Sequence, residues 1–179
     1  TGTQNEKIDD CPTLLLSAVF ATAGCNDADA KPEAKESVIR HGLIGSDFPI
    51  LRASEVPATS TIVFLSGAVP GVSNPDAPKG SMEAYGDTET QTVSVLNRID
   101  ENLKSLGLTM GDVIKMQAFL VGDPAMDGKM DFAGFMRGYT QFFGTESQPN
   151  LPSRSALQIA GLANPNYLVE IEVTAVRPE

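Results

Sequence analysis

The chain has 179 residues, enough for one domain and a tail, and its 41% hydrophobic content is that of a soluble globular protein. Its 13 Lys and Arg are outnumbered by 23 Asp and Glu, for a net charge of −10, so a phosphate-binding surface is not expected and nucleic acid is a disfavoured partner. One histidine, His41, and two cysteines, Cys11 and Cys25, leave no Cys/His cluster of zinc spacing and little room for a His-assisted nucleophile.

Residues 14–24, LLLSAVFATAG, form an apolar run that ends at Cys25. Eleven apolar residues are too few to span a bilayer and suit the core of a signal peptide. The Gly24-Cys25 ending resembles a bacterial lipoprotein box, in which the cysteine takes the lipid, although Thr22 stands where such boxes usually carry Leu. The alternative is a short ordinary element behind an acidic tail, with Cys11 and Cys25 disulfide-bonded or free. The first reading places the protein in the cell envelope or periplasm, held to a membrane only through a lipid on Cys25; the second leaves it cytoplasmic. Either way, residues 1–35 are an extension and residues 36–179 the main domain. His41 lies in the Gly-rich approach to that domain and reads as a surface or loop residue.

One or two strands are expected within 48–56. TIVFLSGAV (61–69) alternates apolar residues on both faces and predicts a strand buried on both sides. Residues 70–87 are rich in Pro, Gly, Asp and Ser and predict a long loop. Asp87 or Thr88 then caps a helix whose apolar stripe is Val95, Leu96, Ile99, Leu103 and Leu106, stopped by Gly107. VIKMQAFLV (113–121) predicts a strand with Ile114, Met116, Ala118 and Leu120 on one face. A second helix is expected over about 130–143, its stripe of Phe132, Phe135, Met136, Tyr139, Phe142 and Phe143 read as core. Strands at about 155–160 and 167–176 end the chain.

Two helices and a small mixed sheet make an α+β sandwich with helices on one face. The other face would carry Gln117, Phe119, Gln158, Glu170 and Glu172, too mixed for a core and too apolar for water. Another subunit would cover it. Near the C-terminus, one arginine (Arg154) heads a strand and two glutamates share one face of the next. They are either an ion pair that staples two strands or a site.

Five pieces, in order, carry a resemblance: VFLSGAVP (63–70), LGLTMGDVIKMQAFLV (106–121), DFAGFMRGYTQFF (131–143), LPSRSALQIAGL (151–162) and VEIEVTAVRP (169–178). Residues 48–177 resemble the RidA family of reactive intermediate deaminases, also called YjgF-type or L-PSP endoribonuclease-like proteins. The resemblance implies a chorismate-mutase-like (YjgF-like) fold, a homotrimer with a barrel core and clefts between subunits, and hydrolysis of 2-enamine and 2-imino acids to 2-oxo acids and ammonia, as by 2-iminobutanoate/2-iminopropanoate deaminases. It implies no cofactor and no metal. It gives Arg154 the substrate carboxylate, Glu170 the water, and Ser66 and Gly67 the cleft lining; Glu172 stays structural. Ala156 stands where the best-known members have cysteine, Met136 where they have asparagine, and Phe48–Leu51 shows no counterpart of the usual tyrosine.

The chemistry suits the residues. A protonated imine is already electrophilic, so the protein need only fix a carboxylate, place a water and shuttle a proton. A guanidinium grips carboxylates bidentately at any working pH, and a carboxyl group in a partly dry cleft can serve as acid and base. The same cleft could instead bind a small carboxylate without turnover, as a regulatory module. A ribonuclease, the third reading, conflicts with the −10 charge.

Overall fold

A strand of nine residues, Val113–Val121, runs through the middle of the domain, and its pleat organises everything around it. The computed structural model describes residues 37–178; the apolar run at 14–24, both cysteines and the boundary after residue 35 lie outside the described residues. The strands are β1 (Ile39–Gly42), β2 (Leu51–Glu55), β3 (Thr61–Ala68), β4 (Val113–Val121), β5 (Ser153–Ile159) and β6 (Val169–Arg177). They form one sheet in the order β1-β2-β5-β4-β6-β3. β5 lies parallel to β2 and β4, and the other pairs are antiparallel.

Register assigns side chains to faces, because neighbours across a ladder point the same way and successive residues alternate. Met116 sits beside Arg154 and Val173, and Ala118 beside Ala156 and Ile171. This face is covered by α2 (Thr88–Ser105) and α3 (Phe132–Tyr139). Met116, Ala118, Leu120, Val169 and Ile171 are fully buried there against Val95, Leu96 and Ile99 of α2 and Phe135 and Tyr139 of α3. Each large apolar side chain so buried contributes about 1.5–3 kcal/mol. Phe119 sits beside Leu157 and Glu170, and Gln117 beside Ser155 and Glu172, on the opposite face. That face is open among the described residues: Phe64 is 79% exposed, and Ile62 and Leu157 are also exposed.

Polar contacts fix the helices. Asp87 accepts from Thr90 N at 2.9 Å and caps α2; its end passes into Gly107, whose φ of 71° favours glycine. Gln91 of α2 is fully buried; its amide donates to Gly86 O and Asn166 O, and its oxygen accepts from Leu168 N at 2.7 Å. These bonds tie the loop before β6 to α2. Asp131 accepts from Gly134 N at 2.8 Å and caps α3.

Several expectations are corrected. β3 is an edge strand paired with β6, and its second apolar face, with Ile62 and Phe64, is covered by no layer among the described residues because α2 and α3 lie on the other side of the sheet. Gln158 is in register with Leu120, on the helix side, where it accepts from Met130 N and donates to Gly128 O. His41 belongs to β1, and its ring meets Glu55 Oε1 at 2.6 Å. The long loop holds a one-turn helix, α1 (Met82–Tyr85). Leu106 is exposed past the end of α2. α3 ends at Tyr139, and the chain continues in tighter turns in which Gln141 N donates to Gly138 O and Phe142 N to Tyr139 O.

α2 and α3 approach closely at Gly138, where a Cβ would lie 2.7 Å from Thr92 Cβ and 3.1 Å from Glu89 O. Gly138→Ala is therefore expected to destabilise the domain by about 1–3 kcal/mol in urea unfolding, the range for overpacking. A change below about 0.5 kcal/mol, the range of neutral surface substitutions, would contradict this packing.

Candidate functional site

Arg154 is the second residue of β5, and the strand is set by Ser153, whose hydroxyl donates to Ile114 O at 3.1 Å. Register turns Arg154 towards α3, where its guanidinium enters a cage of rings. Its central carbon lies 4.2 Å from the Tyr139 centroid, 4.9 Å from Phe135, 5.7 Å from Phe48 and 5.9 Å from Phe132. Phe48 and Phe132 stack on each other at the rim, 40% and 36% exposed. Such cation–π contacts compensate part of the lost hydration.

The hydrogen bonds do not complete the job. Nη2 donates to Met136 Sδ at 3.2 Å, a weak acceptor, and Nη1 is buried with no hydrogen-bond partner among the described residues. Among the described residues, no carboxylate oxygen lies within ion-pairing distance of Arg154. Burial pulls the Arg154 pKa down, and the adjacent Tyr139 pushes it back; an arginine remains charged regardless. Burial likewise pushes the Tyr139 phenol up to about 12, against the opposing pull of Arg154. The Tyr139 hydroxyl donates to Pro49 O at 2.9 Å, which anchors the segment carrying Phe48.

Glu170 lies elsewhere. It is half-buried on the open face, and β4 stands between its strand and that of Arg154. The staple between Arg154 and Glu170 or Glu172 is therefore not formed within one chain: opposite faces of the sheet separate the charges. Glu170 instead reaches over Gly67 of β3, where any Cβ would collide with Glu170 Oε1. The β3–β6 register slips between Leu65 and Ala68, so Ser66 and Gly67 fall in an irregular stretch beside the glutamates. Ser66 and Glu172 line a hollow of about 320 Å³ with Phe64, Lys115 and Gln117.

The six sequence-derived residues thus fall into two groups. Arg154, Met136 and Ala156 share the helix side, while Ser66, Gly67 and Glu170 share the open side. The cage itself was not anticipated, since the α3 stripe reads as plain core. Phe132 carries the signal that was there to find: it is the first helical residue, at the rim of the stripe. Among the described residues, no group of three or more His, Cys, Asp or Glu could hold a metal ion, and no helix is long and apolar enough to cross a membrane.

A model of the endoribonuclease L-PSP family matches residues 49–177. TdcF of Escherichia coli, which carries the name of a reactive intermediate deaminase, is 33% identical over 117 residues, 65% of this chain and 80% of that protein. A crystal structure of TdcF with bound serine superposes with a TM-score of 0.51 at 32% identity, covering 77% of this chain and 93% of that one. A RutC family protein of Pyrococcus horikoshii is 30% identical over 72% of this chain and 90% of its own length. A Rid-family structure from Yersinia pestis, 23% identical, has a TM-score of 0.59 over 80% of this chain and 100% of that one, and shows the fold.

Replacing Arg154 by methionine separates a site from a staple. Unfolding free energy should fall by less than about 1 kcal/mol or rise, whereas breaking a buried pair would cost about 3–5 kcal/mol. For Tyr139, the folded pKa near 12 exceeds the ordinary value of about 10. Its neutral phenol therefore stabilises the fold fully below about pH 10, and that stability is lost as pH rises through about 12. The phenolate absorbance that distinguishes the parent from Tyr139→Phe should appear near pH 12; ionisation near 10 in the folded protein would contradict the burial.

Proposed function

The chain belongs to the RidA/YjgF (endoribonuclease L-PSP) family, and from that premise we propose that it hydrolyses reactive 2-imino acids, and their enamine tautomers, to 2-oxo acids and ammonia. The observation that carries this reading is Nη1 of Arg154, a buried cationic donor left without an acceptor. A buried unsatisfied donor costs about 1–3 kcal/mol, more when charged, and a substrate carboxylate would relieve it. Phe48 and Phe132, at the exposed rim of the cage, are the groups that would move to admit that carboxylate.

In this reading, Glu170 accepts a proton from water as its oxygen attacks C2 of the protonated imine. The carbinolamine nitrogen then takes that proton. The C–N bond breaks, the hydroxyl proton passes to Glu170 as the carbonyl forms, and Glu170 gives it to the departing ammonia, which leaves as ammonium. Fixing the carboxylate and the water at one centre supplies much of the acceleration, about 7–11 kcal/mol at best. No step calls on a cofactor or metal.

Arg154 and Glu170 of one chain cannot touch one substrate, because the sheet lies between them. The reading therefore requires two copies. One supplies Arg154, Met136 and Ala156; the next supplies Ser66, Gly67 and Glu170. A contact that joins different faces of identical chains is heterologous, and such contacts form a ring where the rotation closes and a filament where it does not. A homotrimer is the ring the family resemblance implies. The exposed Ile62, Phe64 and Leu157 support burial of the open face in that assembly.

The test generates an imine in situ with an amino-acid oxidase and follows semicarbazide trapping against 2-oxo acid release. The protein should accelerate imine loss, and Arg154→Ala should reduce kcat/KM by about a hundredfold or more. Imine loss no faster than in buffer would overturn the reading. RNA cleavage that survives Arg154→Ala and further purification would favour a nuclease instead.

A further inference from the structure

The walls around Arg154 say what else a bound molecule would touch. Tyr139 has one polar atom; it donates to Pro49 O at 2.9 Å and faces the Arg154 guanidinium as an acceptor, so both of its roles are taken. Met136 offers only a thioether, already facing Nη2 at 3.2 Å. Phe48, Phe132 and Phe135 offer ring faces, and Ala156 a methyl on the same face of β5. Among the described residues of the cage, the guanidinium is thus the one strong donor with capacity to spare, and it is committed to the carboxylate. A 2-imino acid held there has its side chain within two bonds of that carboxylate, which puts the cage walls within its reach.

We infer that this half-site selects 2-imino acids with apolar side chains, branched, thioether or aromatic, over those bearing hydroxyl or amide groups; the inference rests on the imine-hydrolysis reading above. A hydroxyl pressed against Phe132 and Met136 loses its water and gains no partner. A basic side chain meets the charge of Arg154. Methionine is unbranched and polarisable and fits several apolar shapes, so the selection is for a class and not for one molecule. Discrimination by an apolar wall against an added polar group is about ten- to a hundredfold.

The experiment measures binding and turnover separately on the full chain. Calorimetry compares 4-methyl-2-oxopentanoate with 3-hydroxypyruvate, and the oxidase assay compares imines generated from leucine and serine. The apolar acid should bind about tenfold more tightly or better, and the leucine-derived imine should show a similar advantage in kcat/KM. Met136→Asn and Phe132→Ser should each shrink the binding ratio to about twofold or less, by giving the hydroxyl a partner or opening the wall to water. A parent ratio of about two or below, a ratio that neither variant changes, or no binding of either acid would overturn the inference. Turnover without a ratio sinks the specificity and leaves the deaminase reading standing. A binding ratio without turnover upholds the cage and sinks the deaminase reading.

Discussion

The pleat of β4 is the constraint on which the rest depends. Because side chains alternate along a strand, its two ladders send Arg154 to one face of the sheet and Glu170 to the other. A slip of one residue in either ladder would exchange the faces and place both charges together. The register is held against such a slip by the buried stripe of Met116, Ala118, Leu120, Val169 and Ile171, none of which could turn outward without exposing apolar surface. Core packing and the separation of Arg154 from Glu170 are therefore one arrangement.

The two halves are built by different means. Around Arg154 the protein uses aromatic faces, which tolerate a cation without neutralising it. A carboxylate in the same place would stabilise the fold more simply and would occupy the donors a ligand needs. Around Glu170 the device is the absence of a side chain: Gly67 leaves room for the carboxylate to lie over β3. The unpartnered donor on Arg154 is a local departure from fold stability, of the kind that the proposed carboxylate contact would offset.

Much of this was legible in the sequence. β4 and the start and stop of α2 follow from periodicity and caps, since Asp87 and Gly107 act locally. Arg154 and Glu170 stand out as charges within strand-like runs. What local pattern does not carry is pairing. β3 reads as doubly buried because its apolar residues alternate on both faces, yet the helices cover one side of the sheet, and among the described residues its second face has no cover. Gln158 reads as open-face for the same reason, while register with Leu120 puts it on the helix side. The cage was hidden because a ring that packs on an arginine and a ring that packs on a leucine give one helical stripe.

The central claim is that a complete site draws Arg154 from one copy and Glu170 from another. Subunit complementation tests it most directly. Arg154→Ala and Glu170→Gln, each inactive alone, are denatured together in equal amounts and refolded beside a parent control. Random assembly into rings should restore about a quarter of the parent's sites, those where an intact arginine meets an intact glutamate. A mixture as inactive as its two components, with the refolded parent fully active, would contradict the account.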